Sequence, residues 1–213
     1  LQYSDSKIDD SLYVNPLIYN SASIEHFSDI NCTAIQLGTG SVKIPHSNNF
    51  NFDDDDFTIS FYYKSANTTT KRIIDKSVSQ PTVPYPNSNG SGAPTEYGSQ
   101  ASEEKIISIP FDISVGTTVS FKRTDIDGTT ITHAGGSIAA DTLYHIACVK
   151  TGSALQIWVN GAKQGSDGAD TTTICRNKAD VVIGRDATEA KASQIMIWNK
   201  GLNGTEIANV SES

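Results

Sequence analysis

The sequence predicts an all-β protein, a two-sheet antiparallel β-sandwich of the jelly-roll type with one short C-terminal helix. The 23 isoleucines and 11 valines far outnumber the 7 leucines, a bias towards side chains that suit a pleated sheet. Short segments of alternating polarity recur along the chain, with turn residues between them. Only 202–210 has helical spacing, with Leu202, Ile207 and Val210 separated by five and then three residues.

Length and charge limit the function classes. A chain of 213 residues can bury one sizeable core, so we expect a single domain over 1–213. The net charge of −8, without a basic patch, excludes a nucleic-acid partner. No apolar run is long enough to insert into a membrane. The chain begins with Leu1 rather than Met, so we expect a segment of a longer protein.

The first third of the chain contains one clear strand. Residues 1–33 have no firm period, which predicts an irregular N-terminal wrapping segment with an edge strand. Residues 34–37 and 41–44 surround a glycine-containing turn and predict a hairpin. Residues 57–64 alternate cleanly and predict a half-buried strand with Phe57, Ile59, Phe61 and Tyr63 on one face.

Residues 72–76 are expected to form a strand next to 57–64. A proline-, serine- and asparagine-rich stretch follows, which predicts a long loop over 78–104. Loops of that length in compact domains are usually functional or mobile.

The second half reads as a series of antiparallel strands separated by tight turns. Asp127–Gly128 is typical of a type I′ hairpin turn, and Asn160–Gly161 supplies another tight turn. The predicted strands are 105–113, 117–123, 129–132, 143–150, 154–160, 180–184 and 193–198.

Several of these segments resemble a known family in their order and spacing. They are Leu143–Lys150, Ala154–Gly161, Val181–Gly184 and Ile195–Asn199, preceded by the strand Phe57–Lys64. Together they are similar to the laminin-G-like branch of the concanavalin A-like lectin/glucanase superfamily, over about residues 41 to 210. The resemblance implies the jelly-roll fold, but it leaves the activity open because one fold hosts many functions.

Members of this superfamily include lectins, adhesion modules, enzyme accessory domains, glycan-cleaving enzymes and parts of viral attachment proteins. The chain departs from the family pattern before the closing strand, where Ala190, Ser193 and Gln194 replace acidic residues. That departure argues against a calcium ligand in this segment, because calcium needs anionic or carbonyl oxygens. Tyr144 stands where the family more often has tryptophan.

A glycoside hydrolase would need two carboxylates facing one glycosidic bond. Asp75 and Asp112 are lone acids in their predicted strands, and Asp125 and Asp127 adjoin a glycine turn that itself favours aspartate. We therefore expect no enzyme activity, with a hydrolase using Asp125 and Asp127 as a third hypothesis.

No cofactor is expected. The acidic run Asp53–Asp56 lacks the alternating ligands of an EF-hand and predicts a solvated turn, with a calcium site as the alternative. Strand alternation predicts that His145 is a packed, hydrogen-bonded histidine rather than a base. Cys148 is predicted to lie in the core, and a Cys32–Cys175 bridge is left open.

Two sets of residues are candidates for ligand binding. Gln156 and Trp158 point away from the apolar face of their strand, and an indole beside an amide can bind a sugar. The competing interpretation is that a loop or the N-terminal segment covers Trp158 as part of the structure. The second set combines aromatic and amide side chains on the long loop, as in antibody loops. Its members are Tyr85, Asn87, Asn89 and Tyr97.

These observations favour a non-catalytic module that binds a glycan or a surface protein ligand. The expected setting is adhesion or attachment in a larger extracellular, cell-surface or virion protein. The alternative is a structural decoration or assembly module that contacts partner subunits and binds no small ligand.

Overall fold

The computed structural model describes residues 18–20, 23–37, 40–77, 108–185 and 189–212. Its elements are fifteen strands, two 3-10 helices and one α-helix within these ranges. The strands are β1 (Ile18–Asn20), β2 (Ser23–Phe27), β3 (Cys32–Leu37), β4 (Ser41–Ile44), β5 (Phe57–Ser65), β6 (Lys71–Asp75), β7 (Ile109–Val115), β8 (Val119–Thr124), β9 (Thr130–Gly135), β10 (Tyr144–Thr151), β11 (Ala154–Val159), β12 (Ala162–Lys163), β13 (Gly168–Ala169), β14 (Val181–Ile183) and β15 (Ala190–Trp198). The helices are the 3-10 turns Ser28–Ile30 and Asn48–Phe50 and the α-helix α1 (Gly204–Ser211).

The strands form two antiparallel sheets that pack face to face, which confirms the predicted sandwich. Sheet A has seven strands in the order β1-β4-β14-β6-β7-β8-β9. Sheet B has the order β12-β11-β10-β5-β15-β3-β2, and β13 pairs with β11. Isoleucine and phenylalanine side chains from both inner faces form one core, in which Phe52 stacks on Phe57 with ring centroids 4.3 Å apart.

Two predicted neighbours lie in different sheets. Strand β3 pairs with β2 and β15 in sheet B, whereas β4 pairs with β1 and β14 in sheet A, so the predicted hairpin over 34–44 is wrong. Strand β6 likewise belongs to sheet A, opposite β5 in sheet B. Alternation shows which face of a strand is apolar, but it does not show which sheet the strand joins.

Two local details also differ from the prediction, and a third agrees with it. The N-terminal segment is more regular than expected, since β2 and β3 form a hairpin within 23–37. At the β8–β9 turn Gly128 has a positive φ of 85° and Asp127 does not, so the turn is not type I′. Asn160 and Gly161 both have positive φ, as a type I′ turn requires.

Helix α1 follows Trp198 and covers part of the outer face of sheet B. Its N-cap Asn203 accepts hydrogen bonds from the backbone N–H groups of Thr205 and Glu206, while the Glu206 side chain accepts one from the backbone N–H of Asn203. This capping box fixes the helix start. Buried Ile207 then joins Ala147 and Val149 of β10 in a second, smaller apolar cluster. Strand β5 is therefore buried on both faces rather than on one.

Four fully or almost fully buried cationic side chains bind loop oxygens at the ends of the sandwich. They are Lys71, Lys76, Arg123 and Lys150. Lys150 Nζ donates to the carbonyls of Asp54 and Gly152 at 2.6 and 2.9 Å. Lys76 Nζ donates to the carbonyl of Ala179 at 2.6 Å and to the side-chain oxygen of Asn177 at 3.2 Å. These contacts tie the loops to the strands that carry the cations.

Arg123 makes the most extensive of these contacts. Its guanidinium pairs with buried Asp170, donates to the carbonyl oxygens of Pro110 and Asp53, and lies over the Phe57 ring at 5.4 Å from the centroid. Asp170 in turn accepts from the backbone and hydroxyl of Thr172. The pair joins two loops, around Asp53 and Asp170, to strand β7.

We predict that Arg123→Leu lowers the free energy of unfolding by about 3 kcal/mol or more, because it leaves the Asp170 carboxylate buried without its partner. Urea denaturation measures the change. Lys122→Met is the matched control, since Lys122 neighbours Arg123 on the half-exposed opposite face of β8. Equal losses in the two variants would contradict a special role for the buried pair.

Candidate functional site

The candidate binding surface lies on the outer face of sheet B, at its β11–β12 edge. Leu155, Ile157 and Val159 are buried in the core, whereas Gln156 and Trp158 are half-buried on the other face, as the alternation predicted. Trp158 Nε1 donates to Gln156 Oε1 at 3.2 Å. The two candidates are therefore adjacent and already hydrogen-bonded.

Two further polar residues extend this pair into a row. Gln156 Nε2 donates to Asp167 Oδ2 at 3.3 Å, and the Lys163 ammonium forms an ion pair with Asp167. The hydrogen bond from Lys163 is the main cause that lowers the pKa of the Asp167 carboxyl, so Asp167 is a carboxylate at neutral pH. We call Gln156, Trp158, Lys163 and Asp167 the Trp158 row.

The sequence interpretation missed Lys163 and Asp167. The position of Lys163 was open to inference, because the two-residue Asn160–Gly161 turn places it directly opposite Trp158. Asp167 comes from the irregular segment after β12, and no sequence pattern places it there.

Helix α1 covers part of the Trp158 indole. A Cβ at Gly204 would lie 3.0 Å from the indole ring, and both Trp158 and Trp198 pack against the small cluster under the helix. A cover over Trp158 is thus present, but helix α1 supplies it rather than the loop or N-terminal segment that the sequence suggested. Lys163 and Asp167 are the exposed members of the row, whereas Gln156 is half-buried like Trp158.

The second predicted set lies outside the described residues. Tyr85, Asn87, Asn89 and Tyr97 all fall within 78–107. The strands on either side, β6 and β7, are neighbours in sheet A.

Two acids that the sequence left as lone residues face each other in the structure. Asp75 on β6 lies directly opposite Asp112 on β7. Asp75 is fully buried and is bound by the Arg185 guanidinium at 2.9 Å and by the Ser77 hydroxyl and backbone N–H. Burial raises the pKa of the Asp112 carboxyl and neighbouring Arg72 lowers it. These contacts make the pair a charge-neutralised part of the sheet rather than a free acid and base.

Asp125 serves the β8–β9 turn. Its carboxylate accepts backbone hydrogen bonds from Asp127 at 3.0 Å and from Thr129 at 2.8 Å. This is the backbone role that the glycine turn predicted.

The four carboxylates of the acidic run diverge. Asp53 pairs with Arg176, Asp54 lies 3.3 Å from the Lys150 ammonium, and Asp56 accepts from the backbone N–H of Gly152 at 2.7 Å. The run therefore behaves as a solvated turn with separate partners. Within the described residues, no group of three or more His, Cys, Asp or Glu side chains is arranged to hold a metal ion.

Two other side-chain predictions have mixed outcomes. His145 is packed, but in the described part of the chain neither ring nitrogen has a hydrogen-bond partner, so the predicted ring hydrogen bond is wrong. The His145 ring packs against the Tyr62 ring, and the side-chain oxygen of Asn160 accepts from the backbone N–H of His145 rather than from its ring. Cys148 lies in the core as predicted, and all three cysteines are free, so Cys32 and Cys175 form no bridge.

The sequence matches the laminin G-like family model described as the concanavalin A-like lectin/glucanases superfamily, over residues 37–208. The chain belongs to this superfamily. The match covers both sheets from the end of β3 to the middle of α1, and it confirms the family resemblance seen in the sequence.

Solved structures of binding domains share the superfamily fold with this chain. The binding domain of Paraclostridial Mosquitocidal Protein 1 matches with a TM-score of 0.66 and 14% identity, over 92% of this chain and 47% of that one. The botulinum neurotoxin serotype G binding domain matches with a TM-score of 0.67 and 12% identity, over 95% and 47%. The serotype D ligand-binding domain in complex with N-acetylneuraminic acid matches with a TM-score of 0.62 and 10% identity, over 92% and 45%.

These identities are low, so the similarity establishes the fold alone. The chain spans about half the length of each of these binding domains. A search of curated proteins finds no match. No helix in the described ranges has the length and apolar character needed to cross a membrane.

We predict that calcium does not raise the melting temperature of the protein, because Asp53, Asp54 and Asp56 each bind a different group. An ion bound only by the folded state would stabilise it by about 2.7 kcal/mol at a hundredfold excess over its Kd. Thermal unfolding at increasing calcium concentration measures this. A saturating rise in melting temperature that Asp56→Asn abolishes would revive the calcium alternative.

Proposed function

We propose that this chain is a non-catalytic binding module that recognises a glycan or another surface ligand, through the Trp158 row. The proposed setting is adhesion or attachment within a larger extracellular, cell-surface or virion protein. The observation that carries the proposal is the row itself, in which an indole, an amide, a carboxylate and an ammonium lie side by side on the outer face of sheet B.

The chemistry of the row suits a sugar. Carboxylate and amide oxygens accept hydrogen bonds from hydroxyl groups, while the ammonium and amide N–H groups donate to ring and hydroxyl oxygens. An apolar C–H face can lie against the accessible part of an indole. The existing hydrogen bonds orient Gln156 and Asp167 before any ligand arrives, which reduces the entropy lost on binding.

Membership of a lectin-containing superfamily and the fold shared with toxin binding domains support a binding role. The acids support a non-catalytic one, because Asp75 is neutralised by Arg185 and Asp125 is engaged by backbone N–H groups. Tyr85, Asn87, Asn89 and Tyr97 of the 78–104 loop are proposed as a second contact set.

We predict that a glycan array shows binding by the wild-type chain, and that Gln156→Ala and Asp167→Asn each weaken it about tenfold. The loss of one hydrogen bond, worth roughly 1.4 kcal/mol, corresponds to that factor. Trp158→Ala should also weaken binding, although it disturbs the packing of α1. Deleting residues 80–100 tests the second contact set.

Lys122→Ala is the control for these variants, because Lys122 is partly exposed on sheet A, away from the row. A wild-type chain that gives no signal on the array would contradict glycan binding. Row variants that bind as strongly as Lys122→Ala would show that the Trp158 row is not the binding site.

One observation favours the second candidate function, an assembly module. Ile24 on β2 is 56% exposed, and among the described strands β2 pairs only with β3, at the edge of sheet B. A shallow groove beside it continues to Gln194, which lies at the bulge that interrupts the pairing of β15 with β5. An exposed apolar side chain on an edge strand is a surface that another chain can cover.

An assembly module should form a defined oligomer that Ile24→Lys dissociates, as measured by light scattering. Ile126→Lys is the matched control, because Ile126 is an exposed isoleucine in the β8–β9 turn. A monomeric wild-type chain at all accessible concentrations would exclude self-assembly through this edge.

A further inference from the structure

His145, whose ring has no hydrogen-bond partner among the described residues, lies between Tyr62, which binds the end of helix α1, and Asn160, which precedes Gly161 near the same helix. In sheet B, His145 on β10 is directly opposite Tyr62 on β5, with the ring centroids 5.1 Å apart. On its other side, the backbone N–H of His145 donates to the side chain of Asn160, and the backbone N–H of Asn160 donates to the His145 carbonyl. His145 is only 2% exposed.

The last turn of α1 bridges this position. The Tyr62 hydroxyl donates to the carbonyl of Ser211 at 2.9 Å. On the opposite side of His145, a Cβ placed on Gly161 would lie 3.0 Å from Ser211 Oγ and 3.6 Å from Ala208 Cα. The end of the helix therefore contacts residues on both sides of the imidazole.

The described residues facing the imidazole are uncharged. Tyr62 lies opposite it on β5, Asn160 and Gly161 follow β11, and Ala208 and Ser211 of α1 lie beside Gly161. Glu212, at the helix C-cap, is exposed. Burial alone lowers the pKa of His145, from its ordinary value of 6.5 to about 4. The closed structure thus holds a neutral imidazole, and the described residues supply no counter-ion for its charged form.

We propose that His145 is an acid-sensitive latch. Its protonation releases helix α1 from sheet B and uncovers the apolar surface under the helix, which includes Trp158 and Trp198. This surface belongs to the smaller apolar cluster, which is separate from the main core, so the helix can leave while both sheets stay packed. Small, peripheral clusters are the units that open locally.

The direction of the pH effect follows from linkage. In the released state the imidazole is solvated and takes up a proton near pH 6.5, whereas in the closed state it does so only near pH 4. The closed state therefore loses stability as the pH falls below about 6.5, and the loss is complete below about 4. The ratio of released to closed molecules rises about 30-fold by pH 5, towards a limit of about 300-fold.

Release would also change the proposed ligand surface. In the closed state α1 covers part of the Trp158 indole through Gly204. When α1 leaves, the full ring becomes accessible beside Gln156. The latch itself does not depend on any ligand, so its test is independent of the glycan array.

Hydrogen–deuterium exchange of the full chain between pH 7.5 and 5 tests the proposal, after correction for the intrinsic pH dependence of exchange. We expect the backbone amides of 204–211 to exchange about 30-fold faster at pH 5, while the central strands β5 and β10 keep their protection. Acrylamide quenching of tryptophan fluorescence should increase over the same range. His145→Phe should remove both changes, because a phenyl ring fills the site and does not titrate.

His133→Phe is the matched control, since burial also lowers the pKa of His133, which lies on β9 of sheet A. This variant should respond to pH as the wild type does. Tyr62→Phe removes the hydrogen bond to Ser211, so it should speed exchange in α1 at both pH values and leave their ratio unchanged.

The proposal is overturned if wild-type α1 shows no acid-dependent exchange, or if the strands open together with it. It is also overturned if His145→Phe retains the response or His133→Phe loses it. If His145→Phe does not fold, the wild-type and Tyr62→Phe measurements decide the question. The proposal then requires that acid speeds exchange in α1 alone, and that the ratio of exchange rates at pH 5 and pH 7.5 is the same in both proteins.

Discussion

Buried positive charge organises the loop ends of this sandwich. A sandwich core accounts for the strands, but the connecting loops have carbonyl oxygens that need donors. Lys76, Lys150 and Arg123 extend from strand ends into these loops and donate to several oxygens each. Burying a cation is costly, and here that cost is offset by the oxygen atoms that accept hydrogen bonds from each cation. Burial lowers the pKa of Lys76 to about 8, which leaves it charged at neutral pH.

This arrangement explains the acidic run before β5. Asp53 and Asp54 supply carbonyl oxygens to Arg123 and Lys150, and their carboxylates bind Arg176 and Lys150. Aspartates that would be read as a metal site in sequence therefore act through protein cations. Asp75 likewise pairs with a cation of the protein, the guanidinium of Arg185. Asp75 and Asp112 of sheet A are thus paired with Arg185 and Arg72, and the Trp158 row on sheet B is the candidate for recognition.

Helix α1 makes the two outer faces unequal. Its capping box starts it beside Lys200, and Ile207 anchors it on Ala147 and Val149. The helix buries polar residues of the sheet that a bare sandwich would expose to water, among them Ser60 and His145. Both have side-chain polar atoms without hydrogen-bond partners among the described residues. The helix therefore packs on a small apolar cluster next to polar groups that have no hydrogen-bond partner among the described residues. One of these groups is an imidazole, which is why we propose that the attachment of the helix depends on pH.

The sequence predicted the fold class, most strands, the C-terminal helix and the direction of Trp158, because alternation and turn residues report local structure. It did not predict which sheet β4 and β6 join, because the strands of both sheets show the same alternation of apolar and polar residues. It also missed the Asp75–Asp112 pairing and Asp167, which depend on strand register and on an irregular segment. Lys163 was within reach, since the Asn160–Gly161 turn fixes its register.

If buried cations hold the loops, removing one ammonium group should loosen the loops that it binds, and amide exchange in Lys76→Met measures this. Lys76 binds His46, Asn177 and Ala179, which come from two different loops. We expect the backbone amides of 46–52 and 176–180 to lose protection in this variant while β5 and β10 keep theirs. Unchanged protection in both loops would contradict it, because the loops would then be held without the ammonium group.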